Sequence, residues 1–217
     1  MRVISRSNEA FRDRQEAGRF LADELKYLSG KEVVVLGIPR GGVIVAGEVA
    51  RILNAKLDIV LSRKLGAPDN PELAIGAIAE DGKLFLNEEL ALRVGADKEY
   101  IEAEKARQLL EIENRVKRFR TVKPKIPLKG KTVIVTDDGA ATGLTMQAAL
   151  MILRQEKPAN LIAALPVGAA DAVESLADYA DEVVVLRVPD YLGAIGQFYL
   201  DFSQTSDEEV LGILRDG

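Results

Sequence analysis

The stretch VIVTDDGAATGLT, residues 133–145, joins an apolar β-branched run to a helical pattern with only a tight loop between them. Val133, Ile134 and Val135 do not alternate with polar residues, which marks a strand buried on both faces of a sheet. Gly143 opens GLTMQAALMILRQE (143–156), which is apolar at helical spacing. A strand that feeds straight into a helix is the repeating unit of a parallel α/β sheet.

The loop inside this stretch carries chemistry. Asp137 and Asp138 arrive together at the carboxyl end of the strand, where adjacent acceptors suit a vicinal diol. Small residues follow, so the backbone can close on a ligand, and Thr142 and Thr145 add hydroxyls. The free amides of the helix N-terminus point into the same cup, which favours an anion. Diol acceptors beside an anion cup suit a sugar phosphate. The bland alternative is a pair of acidic turn residues that merely cap the helix.

The same alternation extends in both directions. Strands are expected at 33–38, 57–63, 132–138, 161–168 and 182–188, with helices at 43–53, 97–120, 143–156 and 169–178. A further helix is expected at 8–28, with Asn8 as its cap. Residues 66–82 carry turn signals and little core, with short strands at 74–80 and 83–86, and 121–130 is a connector. The class is therefore α/β, a mostly parallel central sheet flanked by helices, joined by right-handed crossovers. One domain over 1–217 is expected, with no internal repeat.

Composition removes many activities. The 217 residues include no cysteine and no histidine, so thiolate nucleophiles, zinc fingers and histidine-based triads are excluded. Oxygen must hold any metal, which favours magnesium, manganese or calcium. No apolar run is long enough to span a bilayer and the N-terminus has no signal-peptide pattern, so a cytoplasmic location and no membrane partner are expected. The formal net charge of −5 argues against nucleic acid as a partner.

In open parallel sheets ligands bind beyond the carboxyl ends of the strands. Gly37-Ile38-Pro39-Arg40-Gly41-Gly42 is a second loop of that kind, with adjacent glycines, a helix start and the donor fork of Arg40; a plain tight turn is the alternative. Two other patterns fail. Gly130-Lys131-Thr132 lacks the earlier P-loop glycine, since residue 125 is lysine, and it precedes its strand. Gly37 to Gly42 does not match GxGxxG, and no acidic residue ends the next strand to hold a ribose.

Residues 133–145 resemble the signature of the type I phosphoribosyltransferases, which bind 5-phosphoribosyl-1-pyrophosphate (PRPP). Pro39-Arg40-Gly41-Gly42 resembles that family's pyrophosphate loop. RKLGAPDNPELAIGAIAEDG (63–82) and GQFYLDFSQTSDEEV (196–210) are similar to a bacterial and archaeal branch whose members carry only provisional assignments. The resemblance implies that Asp137 and Asp138 take the ribose hydroxyls, and that Gly139, Ala140, Ala141, Thr142, Gly143 and Thr145 form the 5-phosphate cup. It implies that Arg40 and Gly41 meet pyrophosphate, with Arg63 and Lys64 adding positive charge. For that last pair, a solvated basic turn is the alternative. Magnesium (Mg²⁺) would arrive with PRPP, touching Asp137 and Asp138 at most.

The resemblance further implies a flap at 66–82 and a core of about 30–190. A small hood would come from the N-terminal helix and 188–217. In that hood Tyr191, Phe198 and Tyr199 would stack on an acceptor base, with Val167 and Gly168 as second contacts; closing a small core or a dimer interface is the alternative. Transfer of phosphoribosyl from PRPP to a nitrogen acceptor, in a homo-oligomer, is the expected activity. The rival is a non-catalytic PRPP- or nucleotide-binding regulator. Ala141 stands where purine-salvage members carry an aspartate, which favours pyrimidine-like or other acidic nitrogen acceptors.

Overall fold

The computed structural model describes the backbone of residues 1–217 and every side chain except those of Glu72 and Asp216. Six strands form a wholly parallel sheet: β1 (Arg2–Ser5), β2 (Val33–Gly37), β3 (Lys56–Ile59), β7 (Thr132–Thr136), β8 (Asn160–Val167) and β9 (Glu182–Arg187). Their order is β1-β9-β8-β7-β2-β3. Helices α1 (Arg14–Glu24) and α2 (Gly41–Leu53) cover one face, while α5 (Leu144–Gln155) and α6 (Ala170–Leu176) cover the other. The α/β class read from the sequence is the one observed.

Period two explains how a continuous apolar run serves both faces. Val35, Ile134, Ile162 and Val184 pack toward α1 and α2. Their neighbours Val34, Val133, Val135, Leu161 and Val183 pack toward α5 and α6. From the β2–β7 pair the chain winds outward both ways, through β3 on one side and through β8 and β9 on the other. Adjacent strands whose connections diverge leave a crevice at their carboxyl ends. Gly37 pairs with Thr136 there, so the loops after β2 and β7 leave the sheet side by side.

A second, antiparallel sheet stands beside the first: β4 (Ser62–Ala67), β5 (Asn70–Ala79) and β6 (Leu84–Leu86). The run 57–63, expected as one strand, therefore divides between two sheets. Val60 and Leu61 are buried at the break, so apolar continuity hides it. The expectation of little core in 66–82 is also corrected, because Ile75, Ala77 and Ile78 are fully buried. They pack under α3 (Glu88–Arg93), α4 (Lys98–Arg120) and α5.

The N-terminus differs most. The helix expected over 8–28 is α1 alone, capped by Asp13, which accepts from the Glu16 amide, with a short 3₁₀ turn at Lys26–Leu28. Asn8 caps nothing, and Phe11 lies outside the helix, bridged to Tyr199. This segment joins the main layer: β1 pairs with β9, and Leu21, Ala22 and Leu25 enter the main core. Three further elements, β1, α3 and α7 (Asp207–Asp216), go beyond the sequence expectation. Among the described residues no helix is long and apolar enough to cross a membrane.

Candidate functional site

Strand β7 ends at Thr136, so Asp137 and Asp138 belong to the loop at the crevice. Both are half-buried. The Asp138 amide donates to Asp137 Oδ1 at 2.8 Å, which holds the two side chains as neighbours. Burial first, and then the Asp138 charge, push the Asp137 carboxyl well above the usual carboxylate range; the amides of Asp138 and Gly42 and the Arg14 charge pull the other way.

The loop after β2 closes over this pair. A Cβ at Gly41 would stand 2.0 Å from Asp138 Oδ2, and one at Gly42 would stand 2.7 Å from the Asp137 Cα. Only glycine permits that approach. The Pro39–Arg40 peptide is cis. Arg40 itself turns toward α7, where its guanidinium lies 3.9 Å from Asp207.

The 139–145 turn is anchored on one side and open on the other. The Ala140 amide donates to the Val167 carbonyl at 2.9 Å, and the Ala169 amide returns to the Ala140 carbonyl at 2.9 Å. Gly143 caps α5 with φ of 74°, a conformation that costs glycine little. Ala141, Thr142 and Thr145 are exposed, so hydroxyls and helix amides are open to the crevice together.

Beyond Thr142 and Thr145 opens a cavity of about 440 Å³. Ile38, Pro39, Val60 and Leu61 contribute apolar lining, Ser62, Arg63 and Lys64 come from β4, and Tyr100, Arg107, Gln108 and Arg115 come from α4. Arg63 is paired with Glu111 at 2.8 Å, and Arg107 with Glu104 at 2.6 Å. Arg115 is half-buried and makes no ion pair within 4.0 Å among the described residues. The cavity thus carries four cations against the two carboxylates of Glu104 and Glu111.

The structure joins Asp137, Asp138, Gly41 and Gly42 in one cluster, and Arg63, Lys64, Thr142 and Thr145 in the adjoining cavity. It does not gather the expected acceptor residues. Val167 and Gly168 are buried beneath the cup and stitched to Ala140, with Val173 against Gly168. Phe198 is buried, while Tyr191 is 80% exposed. Tyr199 is buried too, stacked on Phe202 at 5.1 Å, and its hydroxyl donates to the Asp138 carbonyl at 2.6 Å. Phe198 and Tyr199 join the main core, Tyr191 does not, and Tyr199 braces the acidic loop from behind.

Two contributors were missed from sequence. Arg14, at the start of α1, donates from Nε to Asp138 Oδ2 at 2.7 Å. Its partner is 124 residues away, and no local pattern announces that contact. The face of α4 did leave a signal. Glu104, Gln108, Glu111 and Arg115 recur at three- and four-residue steps, a polar stripe beside the apolar one of Leu109, Ile112, Val116 and Phe119.

Residues 8–203 match the model of the phosphoribosyl transferase domain. Two proteins of Mycobacterium tuberculosis, from strains H37Rv and CDC 1551, are each 48% identical over 204 residues and are provisionally named phosphoribosyl transferases. The match takes in 94% of this chain and 46% of either relative, so the chain spans about half the length of these curated relatives. The crystal structure of TT1426 from Thermus thermophilus superposes with a TM-score of 0.91 at 50% identity, covering 95% of this chain and 98% of that one.

Proposed function

Because the chain belongs to the phosphoribosyl transferase domain family, we propose that it moves the 5-phosphoribosyl group of PRPP to a nitrogen nucleophile and releases pyrophosphate. The observation that carries this reading is the junction of two differently charged halves at one crevice. Asp137 and Asp138 offer diol acceptors, and Thr142, Thr145 and the α5 amides offer anion donors that open into a cation-lined cavity. A sugar phosphate with a pyrophosphate tail has matching chemistry at both ends.

The chemistry follows from where charge develops. The C1–O bond breaks with its electron pair going to pyrophosphate, C1 becomes cationic, and the nitrogen lone pair forms the new C1–N bond. Arg115, Lys64 and the cup amides would neutralise the growing anion, and α4 with the β4–β5 hairpin would exclude water. Magnesium fits as part of the donor. Among the described residues no three acidic side chains converge into a cage, so the chain offers Asp137 and Asp138 at most. The remaining sites of a hard octahedral ion would be donor oxygens and water.

No carboxylate stands at Ala141, which is exposed in the cup, so an acceptor that must lose its proton finds no base there. The decisive measurement is pyrophosphate release from PRPP and Mg²⁺ with uracil, orotate, xanthine, hypoxanthine, guanine and adenine at several pH values. Release is expected, fastest with the acidic pyrimidine-like bases, and efficient use of hypoxanthine or guanine would overturn the reading of Ala141. Burial of Phe198 and Tyr199 gives weight to the non-catalytic alternative, since of the three expected aromatics it leaves Tyr191 alone open to an acceptor base. PRPP binding without release for any base would establish that alternative.

A further inference from the structure

Arg14 is 8% exposed, which is costly for a guanidinium unless its donors are met. Two of them are met, by two parts of the chain. Nε reaches Asp138 Oδ2 at 2.7 Å, and Nη1 reaches the Ser203 carbonyl at 2.9 Å. The guanidinium carbon stands 3.9 Å from the Phe202 ring centre and 5.9 Å from that of Tyr199. Tyr199 in turn holds the Asp138 carbonyl. Asp138 is thus gripped at one carboxylate oxygen and at its backbone, while Oδ1 receives no hydrogen bond among the described residues and is not sealed from solvent.

We propose that Arg14 is a positioning residue of the diol site, holding Asp138 with Oδ1 toward the sugar and tying that orientation to the 199–203 segment. The inference rests on the donor reading above. A carboxylate with one fixed and one open oxygen presents a single defined acceptor, which costs less order on binding than a free rotor. Gly41 lies against the same contact, since a Cβ there would stand 2.8 Å from Arg14 Nε, so the pyrophosphate-loop candidate, the acidic pair and the C-terminal segment meet at one guanidinium.

Calorimetry with ribose 5-phosphate, PRPP plus Mg²⁺, and inorganic pyrophosphate tests this on the full chain as wild type, Arg14→Gln and Arg14→Lys. Arg14→Gln should weaken both sugar ligands by about ten- to a hundredfold. Arg14→Lys should recover part of the affinity, and pyrophosphate should bind alike to all three. In hydrogen exchange, PRPP should protect 199–206 in the wild type and lose that effect in Arg14→Gln. Wild-type sugar affinity in Arg14→Gln, or equal loss of pyrophosphate binding, overturns the role of Arg14 and leaves the donor reading standing. A wild type that binds neither sugar ligand overturns the donor reading and this inference together. Should Arg14→Gln fail to fold, Arg14→Lys decides: unchanged sugar affinity counts against positioning.

Discussion

Burial and the adjacent Asp138 carboxylate push the Asp137 carboxyl above its usual range, so the unliganded fold resists ionising a group that a diol would use. Linkage gives the sign. A carboxyl raised by folding adds stability below about pH 4, its unfolded value, and that stability is lost as pH rises through the folded value. Asp137→Asn has no such slope. The melting temperature of Asp137→Asn minus that of the wild type should therefore widen as pH rises from about 4 and then level off, while PRPP binding is lost. A difference that stays constant with pH would contradict the burial of this charge. Neighbouring glycines give a second contrast. Gly42→Ala drives a Cβ into the Asp137 Cα and the Thr136 carbonyl at 2.7 and 2.8 Å, both backbone, and should cost about 1–3 kcal/mol of stability. Gly41→Ala meets side-chain atoms of Asp138 and Arg14 instead, so PRPP affinity should fall more than stability, as urea melts and calorimetry would show. The paired acids and the double glycine were legible because each is contiguous in sequence. Arg14 was not, because a salt bridge between residues 14 and 138 has no local trace.

Elements were legible where periodicity was long and misread where it was short. The run 57–63 looked like one strand because burial continues across a change of sheet, and β1 was silent because Val3 and Ile4 of its four residues are exposed. Helix α7 carried a signal that the sequence expectation left unused: Ser206 and Glu209 form a capping box, each side chain accepting the other's amide. The hairpin of β4 and β5 refines the idea of a flap. Its root is fastened where Arg120 at the end of α4 joins Asp58 of β3 at 2.6 Å to Glu80 beyond β5 at 2.8 Å. Asp58 is 1% exposed, so Arg120→Ala leaves an unpaired buried carboxylate and should cost about 3–5 kcal/mol in urea melts. A loss below about 1 kcal/mol would mean that the amides of Ile59 and Ile126 suffice for Asp58. The same fastening confines motion to the tip. Amides of 66–71, around the irregular register at Leu65–Ala67, should exchange fast and become protected by PRPP and Mg²⁺. Those of 75–79 should stay slow throughout, and equal exchange along the hairpin would remove the flap.

Across the whole molecule, the proposed donor would touch several parts of the chain at once. Its diol would lie against α1 and the C-terminal segment through Asp138, its 5-phosphate against α5, and its pyrophosphate beside β4 and α4. A ligand that binds only the folded chain stabilises it by mass action, about 2.7 kcal/mol at a hundredfold excess over Kd. For a chain of this size each kcal/mol is worth about 2–4 °C, so PRPP with Mg²⁺ should raise the melting temperature by about 5–10 °C. The variants divide that shift by place. The Asp137→Asn/Asp138→Asn pair should abolish it by removing the diol acceptors. Arg115→Gln should reduce the shift with PRPP and leave that with ribose 5-phosphate intact, because the half-buried Arg115 is the cavity cation without an ion pair among the described residues. If Arg115→Gln weakened both shifts equally, the cavity under α4 would hold the 5-phosphate end, and the donor would lie in the crevice in the opposite sense.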